Sequence, residues 1–122
     1  IDGKHKAYDI YIPEKELGVE VKSDRQAEDT GNVFIEVECN HQRSGVCGTL
    51  AQWWVYRTTK RIFWIETREI IDYIVRYKND IRMFRNTPKG ETSTVYGYLI
   101  PIEDFESIAF VTQNNKNDGG KF

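Results

Sequence analysis

The stretch Gly18-Val19-Glu20-Val21-Lys22 decides how this sequence folds. Val19 and Val21 bracket Glu20, and the period-2 alternation predicts a strand with Glu20 and Lys22 on one face. Upstream, Tyr8-Asp9-Ile10 belongs to a second predicted strand, 7–12, joined to the first by the turn Pro13-Glu14-Lys15-Glu16-Leu17. Adjacent strands bring Asp9 within reach of Glu20 and Lys22, giving two hard oxygen ligands for a divalent cation beside one amine. Such a set suits metal-assisted hydrolysis of a phosphodiester. The bland alternative is a solvated strand face carrying a cross-strand ion pair.

An Asp followed, one turn later, by Glu-x-Lys on the next strand resembles the PD-(D/E)xK nuclease superfamily. The flanking text Val19-Glu-Val-Lys-Ser-Asp24 and Gly31-Asn-Val-Phe-Ile-Glu-Val-Glu38 is similar to small nuclease-like proteins of phage type. The likeness covers residues 2–58, and beyond them only the order of elements. Tyr8 stands where the family commonly has Pro. The family usually opens with a helix carrying a further acid. This sequence begins at Ile1 close to the first strand and without an initiating Met, so that helix is expected either to lie upstream or to be absent. The resemblance implies an α/β fold, with a central mixed β-sheet flanked by helices in a restriction-endonuclease-like core. It implies Mg²⁺, with Mn²⁺ as a substitute, held by Asp9, Glu20 and the backbone carbonyl of Val21. Lys22 would then orient or deprotonate the attacking water, or steady charge growing on the phosphate. The expected partner is DNA and the expected activity that of a deoxyribonuclease, an endonuclease pairing two sites as a homodimer. The expected location is the cytoplasm of a bacterial host, with the protein phage-encoded.

Composition sets bounds. A chain of 122 residues forms one domain with a real core, and 13% aromatic content marks it as globular. We assign 1–111 to a single nuclease-like domain and 112–122, rich in Asn and Gly, to a flexible tail. The formal net charge of −2 excludes a broadly electropositive surface, so a nucleic-acid footprint must be local. No apolar run reaches transmembrane length and no signal-peptide pattern follows Ile1. Cys39 and Cys47 are too few for a disulfide scaffold, which points to a reducing interior.

Beyond the second strand, 23–32 is polar and predicts a mobile loop. The alternating run 33–39 predicts a strand with Val33, Ile35, Val37 and Cys39 on one face and Phe34, Glu36 and Glu38 on the other. After a loop at 40–48, residues 49–54 predict an N-capped helical turn running into a strand near Val55-Tyr56. A short apolar strand is expected at 61–65. Thr67 is expected to cap a helix in which Ile70, Ile74, Tyr77 and Ile81 recur at helical spacing. A loop at 86–94 precedes a strand at 95–100, and Pro101 opens a last helix that turns Ile102, Phe105 and Ile108 inward.

Gln52-Trp53-Trp54-Val55-Tyr56 spells Gln-x-x-x-Tyr, similar to a motif in the exonuclease branch of the same superfamily. On a helix Gln52 and Tyr56 would share a face and both reach the site; otherwise the aromatics are core. Glu36 is either a third acid facing the metal or part of a solvated face. Cys39, His41, Cys47 and His5 suggest zinc, but Cys-x-His is not a usual finger spacing, and the reading favours no metal there. Lys4, Lys6, Arg25, Arg43 and Lys89 are candidate phosphate contacts, provided that they gather around Asp9 and Glu20. Two other classes remain: a catalytically inactive nuclease-fold module that binds nucleic acid or a protein partner, and a small structural or inhibitory protein.

Overall fold

The computed structural model describes residues 9–87 and 93–114. Among them, β1 (Ile10–Ile12), β2 (Leu17–Ser23), β3 (Asn32–Cys39), β4 (Gln42–Arg43), β5 (Trp53–Arg57), β6 (Arg61–Glu66), β7 (Arg82–Asn86), β8 (Val95–Pro101) and β9 (Phe110–Gln113) alternate with α1 (Ala27–Thr30), α2 (Thr67–Tyr77) and α3 (Ile102–Ser107). The strands form a five-stranded sheet, β1-β2-β5-β6-β9, and a four-stranded sheet, β4-β3-β8-β7. Only β2 and β5 run parallel, so the first sheet is mixed and the second antiparallel. The α/β class and the mixed sheet agree with expectation. The flanking layer does not: a second sheet packs alongside the helices on the inner face of the first. β7, which lies after α2, has no counterpart in the sequence reading.

The β1–β2 hairpin forms because Pro13 opens a single 3-10 turn and Glu16 closes it in the left-handed region (φ 51°), its N–H donating to the Pro13 carbonyl over 3.2 Å. β2 then pairs in parallel with β5, placing Val19 beside Trp53, Glu20 beside Trp54 and Lys22 beside Tyr56. The inner face continues through Phe63 and Ile65 and packs on Val33, Ile35 and Ile100 of the second sheet, with Ile70, Ile74 and Phe105 supplied by α2 and α3. The outer face carries Ile12, Leu17, Val19, Trp53, Trp64 and Phe110 around a shallow apolar hollow of about 400 Å³. Trp64 and Phe110 are exposed there.

Several local expectations are corrected. Residues 49–54 form no helix. Thr49 Oγ1 accepts the Ala51 N–H over 3.0 Å in a turn, and the aromatic, β-branched run Trp-Trp-Val-Tyr pairs as β5. Thr67 is the first residue of α2, not its cap, and its hydroxyl donates to the Ala51 carbonyl over 2.7 Å. α2 turns Ile70 and Ile74 inward as expected, but Tyr77 is exposed and Ile81 packs on the core from beyond the helix. Thr112 and Gln113, expected in the tail, belong to β9 and pair with Ile62 and Arg61 of β6. Residues 115–122 lie outside the described residues.

The segment 23–32 is also more ordered than its polarity suggests. Asp24 Oδ1 accepts the N–H groups of Gln26 and Ala27, starting α1, and Ala27 is fully buried. Glu28 then forms a bidentate pair with Arg61, at 3.0 Å to Nε and 2.8 Å to a terminal nitrogen, and accepts the buried Thr58 hydroxyl over 2.6 Å. These bonds, Arg61 foremost, hold the Glu28 carboxyl below the usual glutamate range despite its burial. A lowered folded pKa gives stability that is complete above the ordinary glutamate range and disappears as pH falls through the folded value. Glu28→Ala leaves Arg61 with only Glu106, at 3.4 Å, and the Thr58 hydroxyl with only the Arg61 carbonyl, at 3.2 Å, and should cost about 1.5–3 kcal/mol at neutral pH in chemical denaturation. The deficit should shrink in acid; a loss that does not vary with pH would contradict this role.

Candidate active site

The hairpin delivers the sequence-predicted cluster to one end of the first sheet. Asp9, immediately before β1, donates its N–H to the Val19 carbonyl over 2.9 Å, and its Oδ2 accepts the Val21 N–H over 2.8 Å. The N–H and C=O of one strand residue point to the same side, so the Val21 carbonyl emerges on the edge occupied by Asp9. Glu20 lies close enough to Asp9 for the two carboxyls to interact directly. Partial burial, then the Asp9 charge, raises the Glu20 pKa above the usual glutamate range, against the lowering pull of Lys22. Lys22 Nζ lies 3.4 Å from Glu20 Oε2, the two side chains 46% and 18% exposed. The ammonium also sits 5.7 Å from the ring centre of Trp54, within cation–π range.

Asp9, Glu20, Val21 and Lys22 are therefore brought together. Two carboxylates held in mutual repulsion, with a carbonyl beside them, fit a divalent cation that keeps most of its waters. Among the described residues no group of three or more His, Cys, Asp or Glu side chains is arranged to hold a metal.

Gln52 and Tyr56 do not share a helical face. Gln52 sits at a bend just before β5, its Oε1 accepting the Gly18 N–H over 2.7 Å and its N–H donating to the Gly18 carbonyl over 3.0 Å, so it lengthens the β2–β5 ladder. Tyr56 is core, 5% exposed, and its hydroxyl donates to the Phe34 carbonyl over 2.8 Å. Burial, with the charges of Asp24 and Glu36, pushes its pKa up. Trp54 is buried as well, and its Nε1 has no acceptor among the described residues.

Glu36 faces the same cleft as Lys22, across a cavity of about 250 Å³ that Asp24 and Gly45 also line. Its Oε2 accepts the Ser44 hydroxyl over 2.6 Å, a contact no local sequence pattern announces. Gly45 (φ +54°) makes this possible, because a Cβ there would run into the Glu36 carbonyl. Of the basic candidates, Arg43 is exposed on β4 opposite Glu38 and Arg25 is exposed beside Asp24, while Lys4, Lys6 and Lys89 lie outside the described residues. Cys39 is half-buried at the end of β3, Cys47 and His41 are exposed, and His5 lies outside the described residues.

No family model, curated protein or solved structure matches the chain. No helix among the described residues is long and apolar enough to cross a membrane.

The raised Glu20 pKa has a sign that can be measured. A carboxyl raised in the folded state contributes stability that is present below its ordinary range and lost as pH rises through the folded value. At neutral pH and without divalent ions, Glu20→Gln should therefore melt above the wild type. Excess Mg²⁺ should stabilise the wild type and not the variant. The same metal response in both proteins would remove Glu20 from the ligand set.

Proposed function

We propose that this protein is a divalent-metal-dependent nuclease that hydrolyses DNA phosphodiester bonds, built on a restriction-endonuclease-like core. The observation that carries the reading is the convergence of Asp9, just before β1, and Glu20 on β2, with the Lys22 amine 3.4 Å from Glu20. Asp9 Oδ1, Glu20 and the Val21 carbonyl would hold Mg²⁺ or Mn²⁺. The bound ion would supply Lewis acidity toward the scissile phosphate and lower the pKa of a coordinated water. The Val21 N–H keeps Asp9 in one orientation, so the ligand set is organised before the ion arrives. Lys22, half exposed at the mouth of the cleft, would orient the attacking water or balance the charge that grows on the phosphate. DNA is the proposed partner, and pairing of two copies would suit cleavage of both strands.

A cleavage assay on supercoiled, linear and branched DNA, with Mg²⁺, with Mn²⁺ and with chelator, tests this. Lys22→Ala should lower turnover by about 10²- to 10⁴-fold. DNA affinity should change only slightly, because one phosphate contact is a small part of the total. Lys22→Arg should not restore full turnover, since a planar, forked guanidinium cannot occupy the place of a compact ammonium. Wild-type protein that binds all three substrates in Mg²⁺ and cuts none would favour the inactive binding module.

A further inference from the structure

We propose that the solvent face of the four-stranded sheet holds an unpaired nucleobase, so that the substrate is nucleic acid with a single-stranded segment next to the scissile phosphate. This rests on the nuclease reading above and adds to it the class of substrate.

Register builds the site. Phe34 lies opposite Leu99 and Leu99 opposite Arg82, while Glu36 lies opposite Gly97 and Gly97 opposite Phe84. Alternation therefore puts Phe34, Glu36, Arg82 and Phe84 on one face, the face turned away from buried Val33, Ile35 and Ile100. Gly97 lets the Phe34 ring lie across β8, since a Cβ there would collide with the ring. Phe84 meets Phe34 edge-on, with ring centres 5.9 Å apart and planes at 84°, and remains 40% exposed. Edge-on packing leaves a ring face open to a third aromatic partner.

The groove over these rings measures about 420 Å³ and includes Arg82, Gln26, Thr30 and Asn32. Asn32 Nδ2 donates to the Thr30 carbonyl over 3.3 Å, which turns the amide and leaves its Oδ1 as an acceptor. Asp24 and Phe34 line both this groove and the cavity beside Lys22, so the two lie side by side. The lining selects the ligand. Phosphate would want more than one cation and no carboxylate nearby, and a purely apolar ligand would waste the amides. Ring faces, one planar guanidinium and neutral hydrogen-bonding groups are what stack and pair with a base. Bases inside a duplex are stacked away from such a surface, whereas an unpaired strand presents them.

Fluorescence anisotropy in chelator, where nothing is cut, tests the assignment with labelled single-stranded, blunt-duplex and single-strand-tailed DNA. The wild type should prefer the single-stranded and tailed forms. Phe84→Ala should weaken both by about 5- to 100-fold, as loss of one stacked base does, and leave blunt-duplex affinity nearly unchanged. Phe84→Trp should keep the preference. If Phe84→Ala does not fold by circular dichroism, Arg82→Gln at the exposed strand edge should show the same selective loss. Equal losses on tailed and blunt DNA, or no preference in the wild type, would overturn the base site. Tailed DNA bound through Phe84 but never hydrolysed in Mg²⁺ or Mn²⁺ would instead retire the nuclease reading and leave the base site standing. Cleavage that ignores Phe84 would do the reverse.

Discussion

The parallel pairing of β2 with β5 is the constraint on which the rest of the molecule depends. It sets Glu20 and Lys22 in line with Trp54 and Tyr56 on the inner face of the first sheet. The aromatic pair is buried against the second sheet, and the charged pair sits where that cover ends. Glu20 is consequently half in and half out of the core, which is the largest reason for its raised pKa. A parallel pair cannot be joined by a tight turn, so the chain between β2 and β5 must make a long excursion. Here the excursion contributes α1, β3 and β4, and so brings Glu36 and Phe34 to the rim of the same cleft.

Order around the site comes from hydrogen bonds that join distant parts of the chain. Gln52 ties β5 to Gly18 by both its amide and its backbone, fixing the register that aligns Glu20 with Trp54. Glu28, Arg61 and Thr58 bind α1 to the β5–β6 hairpin, and Asp24 links the end of β2 to the start of α1. Segments bordering the candidate site are thus held by partly buried polar contacts between specific partners. The outer face of the first sheet is different. Its exposed Trp64 and Phe110 follow from a strand alternation that is apolar on both sides, a pattern expected of a sheet covered on both faces.

The parts legible in the sequence were those specified locally. The β1–β2 hairpin follows from Pro13 and from the Val19–Val21 alternation, and with it the proximity of Asp9, Glu20 and Lys22. α2 and α3 follow from the spacing of Ile70 with Ile74 and from Pro101 before Phe105. The parts missed depend on partners far along the chain. Trp53 to Tyr56 satisfies helical and strand periods alike, and only pairing with β2 decides for the strand, which also dissolves the shared face of Gln52 and Tyr56. Polar residues made 23–32 read as a loop, because nothing near Glu28 reveals Arg61. Thr112 and Gln113 read as the start of a flexible tail, because nothing near them in sequence reveals the β6 edge with which they pair. The Phe34–Phe84 contact joins β3 to β7 through an intervening glycine, a relation no window of sequence contains.

The central claim is that Asp9, Glu20 and the Val21 carbonyl form one divalent-cation site. Paramagnetic broadening by substoichiometric Mn²⁺ in an amide NMR spectrum addresses it most directly. The account predicts selective loss of the signals of Asp9, Glu20, Val21 and Lys22, reversed by excess Mg²⁺, with α2 and α3 unaffected. Broadening centred elsewhere, or none at this end of the sheet, would contradict it.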